Sequence, residues 1–405
     1  MELREQLVDF ISTQIALGSS AYEMIIDECV EYLDGEAEED DVRRVADEVA
    51  DAQFAEFLAD QATWPAVTDS DRLTAAFREL DVSGIVARES FTCCQNCGHA
   101  EIADEIPAGE GRRGYVFYHQ QDAERGANGE GIYLAYGGRD QPAVAGEVVR
   151  VLQSHGLAPV WGGSTGQRIH VPMQWRRRRA GRLAAYPGTI QAEDFTVELE
   201  VLGDWPRPYA TAPGQASAKR LASLHRPWLP AGVRVRLSAD GRRLEAYREW
   251  GRLVGTVSDG TDGSGTEYSV GRMDAWSLLT CLRGDEPPPY SGAAEERELL
   301  EVTFDHWAGR SAGALPMSVA ESVSVLRNMP VRTGGWATYA TRSGALVQHM
   351  WEAGPTLWIE SPDQTASLSR GRHVTLAEAD QVITILARQD RVAIGDLGET
   401  REIPW

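Results

Sequence analysis

The spacing of the apolar residues changes at Gly84, and this change limits the folds open to the chain more than any other feature. Before it, apolar side chains recur at helical intervals, as Leu3, Leu7, Ile11 and Ile15 do, so that they share one face of a helix. After it, alternating and aromatic runs bounded by glycine are typical of strands. We therefore predict a multidomain α+β protein in which an acidic helical region precedes the sheets.

Residues 1–83 are predicted to form that helical region, with four helices. Ser20 and Glu23 have the spacing of a capping box at the start of the second helix, and Thr68 and Asp71 have it at the start of the fourth. In a capping box the hydroxyl and the carboxylate each accept a hydrogen bond from a backbone N–H at the helix start. Both pairs therefore predict where a helix begins.

Residues 84–178 are predicted to form a cysteine-containing ββαββ unit that makes one domain with 1–83. A linker-like stretch begins at its end with the basic run Arg176 to Arg179. We interpret this run as a solvated linker, with binding to the acidic helices or to phosphate as alternatives. The predicted elements of the unit are strands at 114–119 and 131–137, a helix at 142–155, and strands at 157–161 and 168–173.

Two further domains are predicted after the linker. Residues 189–284 are expected to form a small, mostly β domain, in which Asp240-Gly241 predicts a tight hairpin turn because such a turn needs positive φ. Residues 292–405 are expected to form an α+β domain with a helix, a three-stranded meander and a final helix. Thr375 and Glu378 have the spacing of a capping box at the start of that last helix.

Negative charge is concentrated at the amino-terminal end of the chain. The 405 residues carry 39 Lys and Arg against 61 Asp and Glu, a net charge of −22, and residues 1–62 hold 18 of the acids and only 3 of the bases. A negative surface repels phosphate backbones and attracts basic surfaces. We therefore expect a protein partner with a basic surface rather than nucleic acid.

The chain is expected to be cytoplasmic. It has no apolar run of the ~20 residues that a membrane span needs, and its first residues, MELREQLVDF, do not have the basic and apolar regions of a signal peptide. Five cysteines, an odd number, argue for thiols or a metal site rather than a disulfide framework. Cys29 and Cys281 lie on apolar helix faces and are predicted to be buried structural thiols.

The segment FTCCQNCGHAEI, residues 91–102, is the strongest motif for chemistry. Cys94 and Cys97, followed by Gly98, have the spacing of a zinc knuckle, in which a tight turn directs two thiolates at one ion. Side chains of neighbouring residues diverge from an extended segment, so we do not expect Cys93 and Cys94 both to face one ion by default. A redox-active pair and small core residues are the alternatives. The candidate ligands beyond the knuckle are Cys93, His99, His119, Glu101, Asp104 and Glu105.

The predicted metal-ligand set is Cys93, Cys94, Cys97 and His119, with zinc as the cofactor. His119 ends a predicted strand directly before a polar cluster, and histidine is a common metal ligand. The segment 162–166, GGSTG, has the letters of a nucleophile elbow, but a strand rather than a helix follows it, so we predict a hairpin turn.

The segment from Thr68 to Pro172 resembles a family of high-GC bacterial proteins defined as a domain of unknown function. The resemblance lies in FTCCQNCG, GYVFYHQQD, GIYLAYG and QRIHV, and it implies no activity. The final meander, helix and Trp405 are similar to small immunity-type proteins of bacterial conflict systems.

Two functional hypotheses follow. The first is a non-enzymatic cytoplasmic protein of the interaction or immunity type, with a structural cysteine site that binds zinc. Its acidic and aromatic faces would bind a protein partner. The second is a metal- or thiol-dependent enzyme centred on Cys93, Cys94, Cys97 and His119. Whether the chain has a catalytic activity stays open at this point, as does the identity of any small-molecule ligand.

Overall fold

The chain folds into two compact units. The first comprises Met1–Arg179, and the second comprises Ala180–Glu352 and Thr356–Trp405. The predicted α+β class is confirmed, because both helices and sheets are present. A computed structural model describes residues 3–102, 112–203, 212–259, 265–290, 294–306, 310–311, 314–328, 334–352 and 356–404.

The first unit joins a helical region to a small sheet. Its helices are α1 Leu3–Leu17, α2 Tyr22–Tyr32, α3 Glu39–Gln61, α4 Asp69–Val82, α5 Gln95–Glu101, α6 Gln120–Ala127 and α7 Gln141–Ser154. Its strands are β1 Ile85–Arg88, β2 Gly114–Phe117, β3 Ile132–Gly138 and β4 Ile169–Val171.

The capping boxes predicted in this unit have different outcomes. At α4 the prediction is confirmed, because the Thr68 hydroxyl accepts from the Asp71 N–H and the Asp71 carboxylate accepts from the Thr68 N–H. At α2 it is wrong: the residue preceding the helix is Ala21, and no side chain caps it. The hydroxyl of Ser20 instead donates to Glu28 Oε1 at 2.7 Å, which removes it from the helix start.

The sheet has the order β1-β2-β3-β4, with β1 parallel to β2 and the other pairs antiparallel. Its main core lies under α4 and α7, around residues such as Phe77, Val116 and Val148. The predicted ββαββ order differs because β1, α5 and α6 were not anticipated, and the strand expected at 157–161 is reduced to a single bridge between Val160 and His170. A smaller apolar cluster around Phe117 includes Val86, Ile102, Phe91 and Tyr115.

The basic run Arg176 to Arg179 is bound to its own unit, so its interpretation as a solvated linker is wrong. We call these four residues the arginine strap. Arg176 and Arg178 lie over the ring of Trp64, with guanidinium carbons 5.7 and 5.8 Å from its centroid. Arg177 donates to the Glu89 carboxylate and to the Tyr118 hydroxyl. The charges that seemed available for phosphate are engaged within the unit.

Arg179 makes the most buried contact of the strap, with 2 % of its surface exposed. Its guanidinium donates to the carbonyl of Ile15 at 2.8 Å and to the carbonyl of Ser20, and it lies 4.8 Å from the centroid of the Phe54 ring. Its backbone exchanges two hydrogen bonds with the Gln61 side chain. Arg179 is the last residue of the unit, and it therefore ties the carboxyl end of the unit to the ends of α1 and α3.

Replacing Arg179 by methionine should destabilise the first unit by about 3 kcal/mol, because the carbonyls of Ile15 and Ser20 lose a buried charged donor. Arg178→Met is the matched control: its exposed guanidinium contributes at most about 1 kcal/mol. Urea denaturation followed by circular dichroism measures both free energies of unfolding. Equal losses would show that Arg179 is no more important than a surface arginine.

The second unit contains two antiparallel sheets with short helices. Its helices are α8 Ala218–Arg220, α9 Ala275–Leu279, α10 Ala294–Arg297, α11 Val319–Asn328 and α12 Leu376–Gln389, with a π-helical turn at Leu221–His225. Its strands are β5 Thr196–Leu202, β6 Gly214–Ser217, β7 Arg234–Ala239, β8 Arg242–Glu249, β9 Arg252–Ser258, β10 Gly265–Gly271, β11 Leu300–His306, β12 Arg310–Ser311, β13 Leu315–Met317, β14 Trp336–Ala340, β15 Leu346–Glu352, β16 Thr356–Asp363, β17 Leu368–Val374 and β18 Arg401–Pro404.

Local signals in this unit are confirmed. The order of one sheet is β10-β9-β8-β7-β5-β6, and that of the other is β12-β11-β14-β15-β16-β17-β18 with β13 on β11. Asp240 and Gly241 have φ of 51° and 78° and join β7 to β8. Thr375 and Glu378 form the capping box of α12.

Buried charge joins the two sheets of this unit. The Arg248 side chain on β8 is 0 % exposed and pairs with Glu301 on β11 at 2.8 Å, and its Nε donates to the carbonyl of Leu229 at 2.7 Å. Because a buried guanidinium needs such partners to offset lost hydration, this pair holds β8 and β11 at a fixed separation.

No helix among the described residues combines the length and the apolar character needed to cross a membrane.

His349 on β15 is buried and neutral, and within the described residues neither of its ring nitrogens has a hydrogen-bond partner. Burial lowers its pKa from 6.5 to about 3, so the unfolded chain binds a proton between these values and the folded one does not. The stability that depends on a neutral His349 is therefore fully present above pH 6.5, and it is lost as the pH falls toward 3. From this shift we expect about 2 kcal/mol less stability at pH 5 than at pH 7.

His349→Leu should remove this part of the pH dependence and leave stability at pH 7 unchanged or higher, because an apolar group replaces a buried polar one without partners. His373→Leu, at an exposed histidine on β17, is the control that should keep it. Urea denaturation at pH 7 and pH 5 measures the difference. A pH dependence that is the same in wild type and His349→Leu would contradict the assignment.

Candidate metal centre

The loop between β1 and α5 carries the cysteines and is held at several points. Ser90 and Thr92 have positive φ of 48° and 59°, a conformation that non-glycine residues rarely adopt. The Phe91 N–H donates to the Tyr118 carbonyl at 2.8 Å, and the Gln120 N–H donates to the Thr92 carbonyl at 3.1 Å. These bonds fix the loop against the end of β2 and the start of α6.

Three sulfur atoms converge where this loop enters α5. Sγ of Cys97 lies 3.6 Å from Sγ of Cys93 and 3.6 Å from Sγ of Cys94, and all three sulfurs lie within 4.8 Å of one another. Thiolates on a tetrahedral zinc ion, with Zn–S bonds of about 2.3 Å, are about 3.8 Å apart. The cluster therefore has nearly the spacing of such a site.

The expectation that Cys93 and Cys94 would diverge is wrong. It assumed a plain extended segment, but Thr92 turns the chain directly before Cys93, and Cys94 is the residue that precedes α5. Gly98 lets α5 lie close to the sheet, because a Cβ at this position would come within 2.3 Å of the Phe117 ring.

Two thiols of the cluster, those of Cys94 and Cys97, differ in acidity. Backbone N–H groups, that of Cys97 first, stabilise the Cys94 thiolate and lower the pKa of Cys94. Hydrogen bonding to the sulfurs of Cys93 and Cys94, together with their charge, raises the pKa of Cys97 to about 11. Cys94 is therefore ionised before Cys97, and a cation at the centre would displace the proton that Cys97 retains.

His119 lies outside the thiol cluster. Its Nε2 is 2.9 Å from Asp122 Oδ2, and its Nδ1 accepts from the Asp122 N–H at 3.3 Å as the cap of α6. Arg168 in turn donates to the same carboxylate at 2.9 Å. Burial is the main cause that lowers the pKa of His119. The structure thus brings together three of the four predicted ligands and engages the fourth elsewhere.

The other predicted donors are also separate from the cluster. His99 makes a 3.0 Å hydrogen bond from Nδ1 to the Tyr115 hydroxyl and a 3.3 Å one from Nε2 to Gln95. Neither it nor Glu101 belongs to the group of converging ligand atoms. Asp104 and Glu105 lie outside the described residues.

Three further sequence candidates, Cys29, Cys281 and the 162–166 segment, have structural roles. Cys29 and Cys281 are buried as predicted, and burial raises their pKa values to about 12 and about 11. In the 162–166 segment the Ser164 carbonyl accepts from the Tyr136 hydroxyl at 3.1 Å, and strand β4 rather than a helix follows. Sequence reasoning missed Glu89, which binds Arg177; no motif marks it.

Residues 1–179 match the family described as Domain of unknown function (DUF6891). This range coincides with the first compact unit and includes the segment predicted to resemble such a domain. Comparison with curated proteins and with solved structures found no match.

Thiol labelling should follow these differences in pKa. In metal-free, reduced protein at pH 7, iodoacetamide should modify Cys94 before Cys97, because the pKa of Cys94 is lowered and that of Cys97 is raised. Cys29 and Cys281 are the internal controls and should stay unmodified in the folded protein. Peptide mass spectrometry over a time course measures the order; labelling of Cys97 before Cys94 would contradict it.

Proposed function

We propose that the first unit is a zinc-binding interaction module and that the whole chain is a non-enzymatic cytoplasmic protein of the interaction or immunity type. The observation that carries the metal assignment is the convergence of Cys93, Cys94 and Cys97 with sulfur separations of 3.6 Å to Cys97. The proposed role of the metal is structural: it would fix the loop before α5 in one conformation.

Zinc is the metal that this donor set favours among those available as simple ions. Thiolates are soft ligands, and tetrahedral sulfur sites are typical of zinc. Three protein thiolates leave the fourth position to a water molecule or to a donor beyond the described residues. Since Cys93 is exposed, solvent and partner side chains have access to that position.

The proposed partner is a protein with a basic surface. Around the start of α3, the exposed acids Asp34, Glu36, Glu38 and Asp40 follow closely on one another. Such a group attracts positive charge over about 10 Å at moderate ionic strength and raises the rate of association with basic proteins. The five free cysteines fit the reducing environment of the cytoplasm.

A thiol-dependent enzyme is the second candidate. It is favoured by one observation, the lowered pKa of Cys94 beside a second sulfur at 3.6 Å, which is the arrangement that dithiol–disulfide exchange requires. In that case the Cys94 thiolate would attack one sulfur of a substrate disulfide, which forms a mixed disulfide and releases the other substrate sulfur as a thiolate. The Cys97 thiolate would then attack Cys94 Sγ and release the second substrate thiolate, so that the substrate is reduced and a Cys94–Cys97 disulfide is left.

Metal analysis of protein purified without added zinc tests the first proposal. Plasma mass spectrometry should find about one zinc per chain, and Cys94→Ser and Cys97→Ser should each lose nearly all of it, because serine is a poor zinc ligand. Cys281→Ala, at a buried thiol outside the cluster, is the matched control and should retain the metal. His119→Asn should retain it as well, because asparagine also caps a helix.

Two results would overturn the zinc assignment. One is the absence of bound metal in protein whose cluster thiols are all titratable. The other is an isolated Cys94–Cys97 disulfide that forms and is reduced reversibly near the redox potential of glutathione, which would support the enzyme instead. Loss of zinc in His119→Asn would show that His119 is a ligand after all.

A further inference from the structure

A cleft of about 560 Å³ lies beside the cysteine loop in the first unit. It is lined by residues of α1, α2 and α6, by Ser90 of the cysteine loop, and by Trp175 and Arg177 at the carboxyl end of the unit. We propose that this cleft binds one arginine or lysine side chain of the basic partner. The inference rests on the proposed function and names the feature of the partner that the first unit would recognise.

Aromatic rings supply two walls of the cleft. Phe10 and Tyr32 are stacked, with centroids 4.5 Å apart and planes at 11°, and Tyr32 keeps 52 % of its surface exposed. The Trp175 indole donates to the carbonyl of Ala16 at 2.8 Å, which fixes its orientation. Flat, oriented aromatic rings attract organic cations.

The unit already contains such a contact. The guanidinium carbon of Arg177 lies 5.2 Å from the centroid of Trp175, and both residues line the cleft. The charge of Arg177 is balanced by the carboxylate of Glu89, to which it donates. Arg177 therefore offers little net charge to attract an anion.

Carboxylates give the cleft a negative charge. Glu28, Glu31 and Glu124 line it, and among the described residues Arg177 is the only lining residue of opposite charge. Glu28 Oε1 accepts from Ser20, whereas its Oε2 is buried and has no hydrogen-bond partner within the described residues. Burial raises the pKa of Glu28, so Glu31 and Glu124 supply most of the negative charge that a cation in the cleft would meet.

The size of the cleft suits a side chain rather than a folded segment. Its volume of about 560 Å³ falls within the range of about 300–1,000 Å³ for small-molecule sites. Gln14 and Gln120 on the walls can orient a planar guanidinium through their amide oxygens. An acidic surface around the cleft would attract the basic polypeptide that carries this side chain.

Fluorescence anisotropy with the full-length protein tests the proposal. The probe is the pentapeptide Gly-Ser-Arg-Ser-Gly with a neutral dye, and its control contains citrulline, which has the shape of arginine without the charge. The arginine peptide should bind at least about 10-fold more tightly than the citrulline peptide. Tyr32→Leu should weaken its binding about 3-fold, as loss of an exposed cation–π contact predicts.

Charge-matched variants separate the cleft from the general acidity of the protein. The double variant Glu31→Gln/Glu124→Gln should weaken arginine-peptide binding at least about 10-fold. Glu36→Gln/Glu56→Gln, which removes the same charge from exposed positions outside the cleft, should weaken it less than about 3-fold. Equal losses in the two variants, or equal binding of the two peptides, would overturn the assignment of the cleft.

Binding of a polyarginine probe distinguishes failure of the cleft assignment from failure of the proposed function. A polyarginine probe that binds the wild type, with equal losses in both double variants, would leave the acidic surface as the binding site and remove only the cleft. No binding of polyarginine to the wild type at low salt would remove the basic partner as well, and the cleft with it. Zinc content, measured on the same samples, reports on the metal centre independently of either peptide.

Discussion

The contact between Arg179 and the carbonyls of Ile15 and Ser20 is the interaction on which the first unit most depends. Burial lowers the pKa of Arg179 to about 10, so the side chain still carries its charge at neutral pH. A buried guanidinium loses its hydration and needs hydrogen-bond acceptors at fixed positions to offset that loss. Here the acceptors are carbonyls at the end of α1 and just before α2. The last residue of the unit is therefore joined to its first helices, which makes the helical region and the sheet parts of one structure.

Arg177, two residues before Arg179 in the strap, connects the cysteine loop to the same end of the unit. Arg177 binds Glu89, the residue that follows β1, and five residues later comes Cys94. Between them, Ser90 contributes to the wall of the cleft and the carbonyl of Thr92 accepts from Gln120. Cleft and thiols thus share one loop, and its position depends on a charge pair with a residue far away in the sequence.

Features set by local sequence could be predicted, and those set by distant partners could not. The capping boxes at Thr68 and Thr375 need only residues three positions apart, and so does the Cys94–Cys97 pair. Ser20 has the same local pattern as Thr68, but its hydroxyl binds Glu28 instead. The arginine strap looks like a solvated charge run because its acceptors are distant in sequence: those of Arg179 lie more than 150 residues away, and Glu89, an acceptor of Arg177, lies 88 residues away. The contacts of His119 could not be predicted for a related reason: Arg168, 49 residues away, lies beside it together with Asp122.

The position of the three thiols in the sequence also determines what a metal there can stabilise. Cys93, Cys94 and Cys97 lie within one short segment, so a bound ion would close only very small loops. The entropy that a cross-link removes from the unfolded chain grows with the length of the loop it closes, and so this contribution would be small. An ion at this site would therefore act on the conformation of residues 89–97, including Ser90 at the cleft, rather than hold α1–α4 to the sheet. The strap performs that second task, because Arg179 joins residues at opposite ends of the unit.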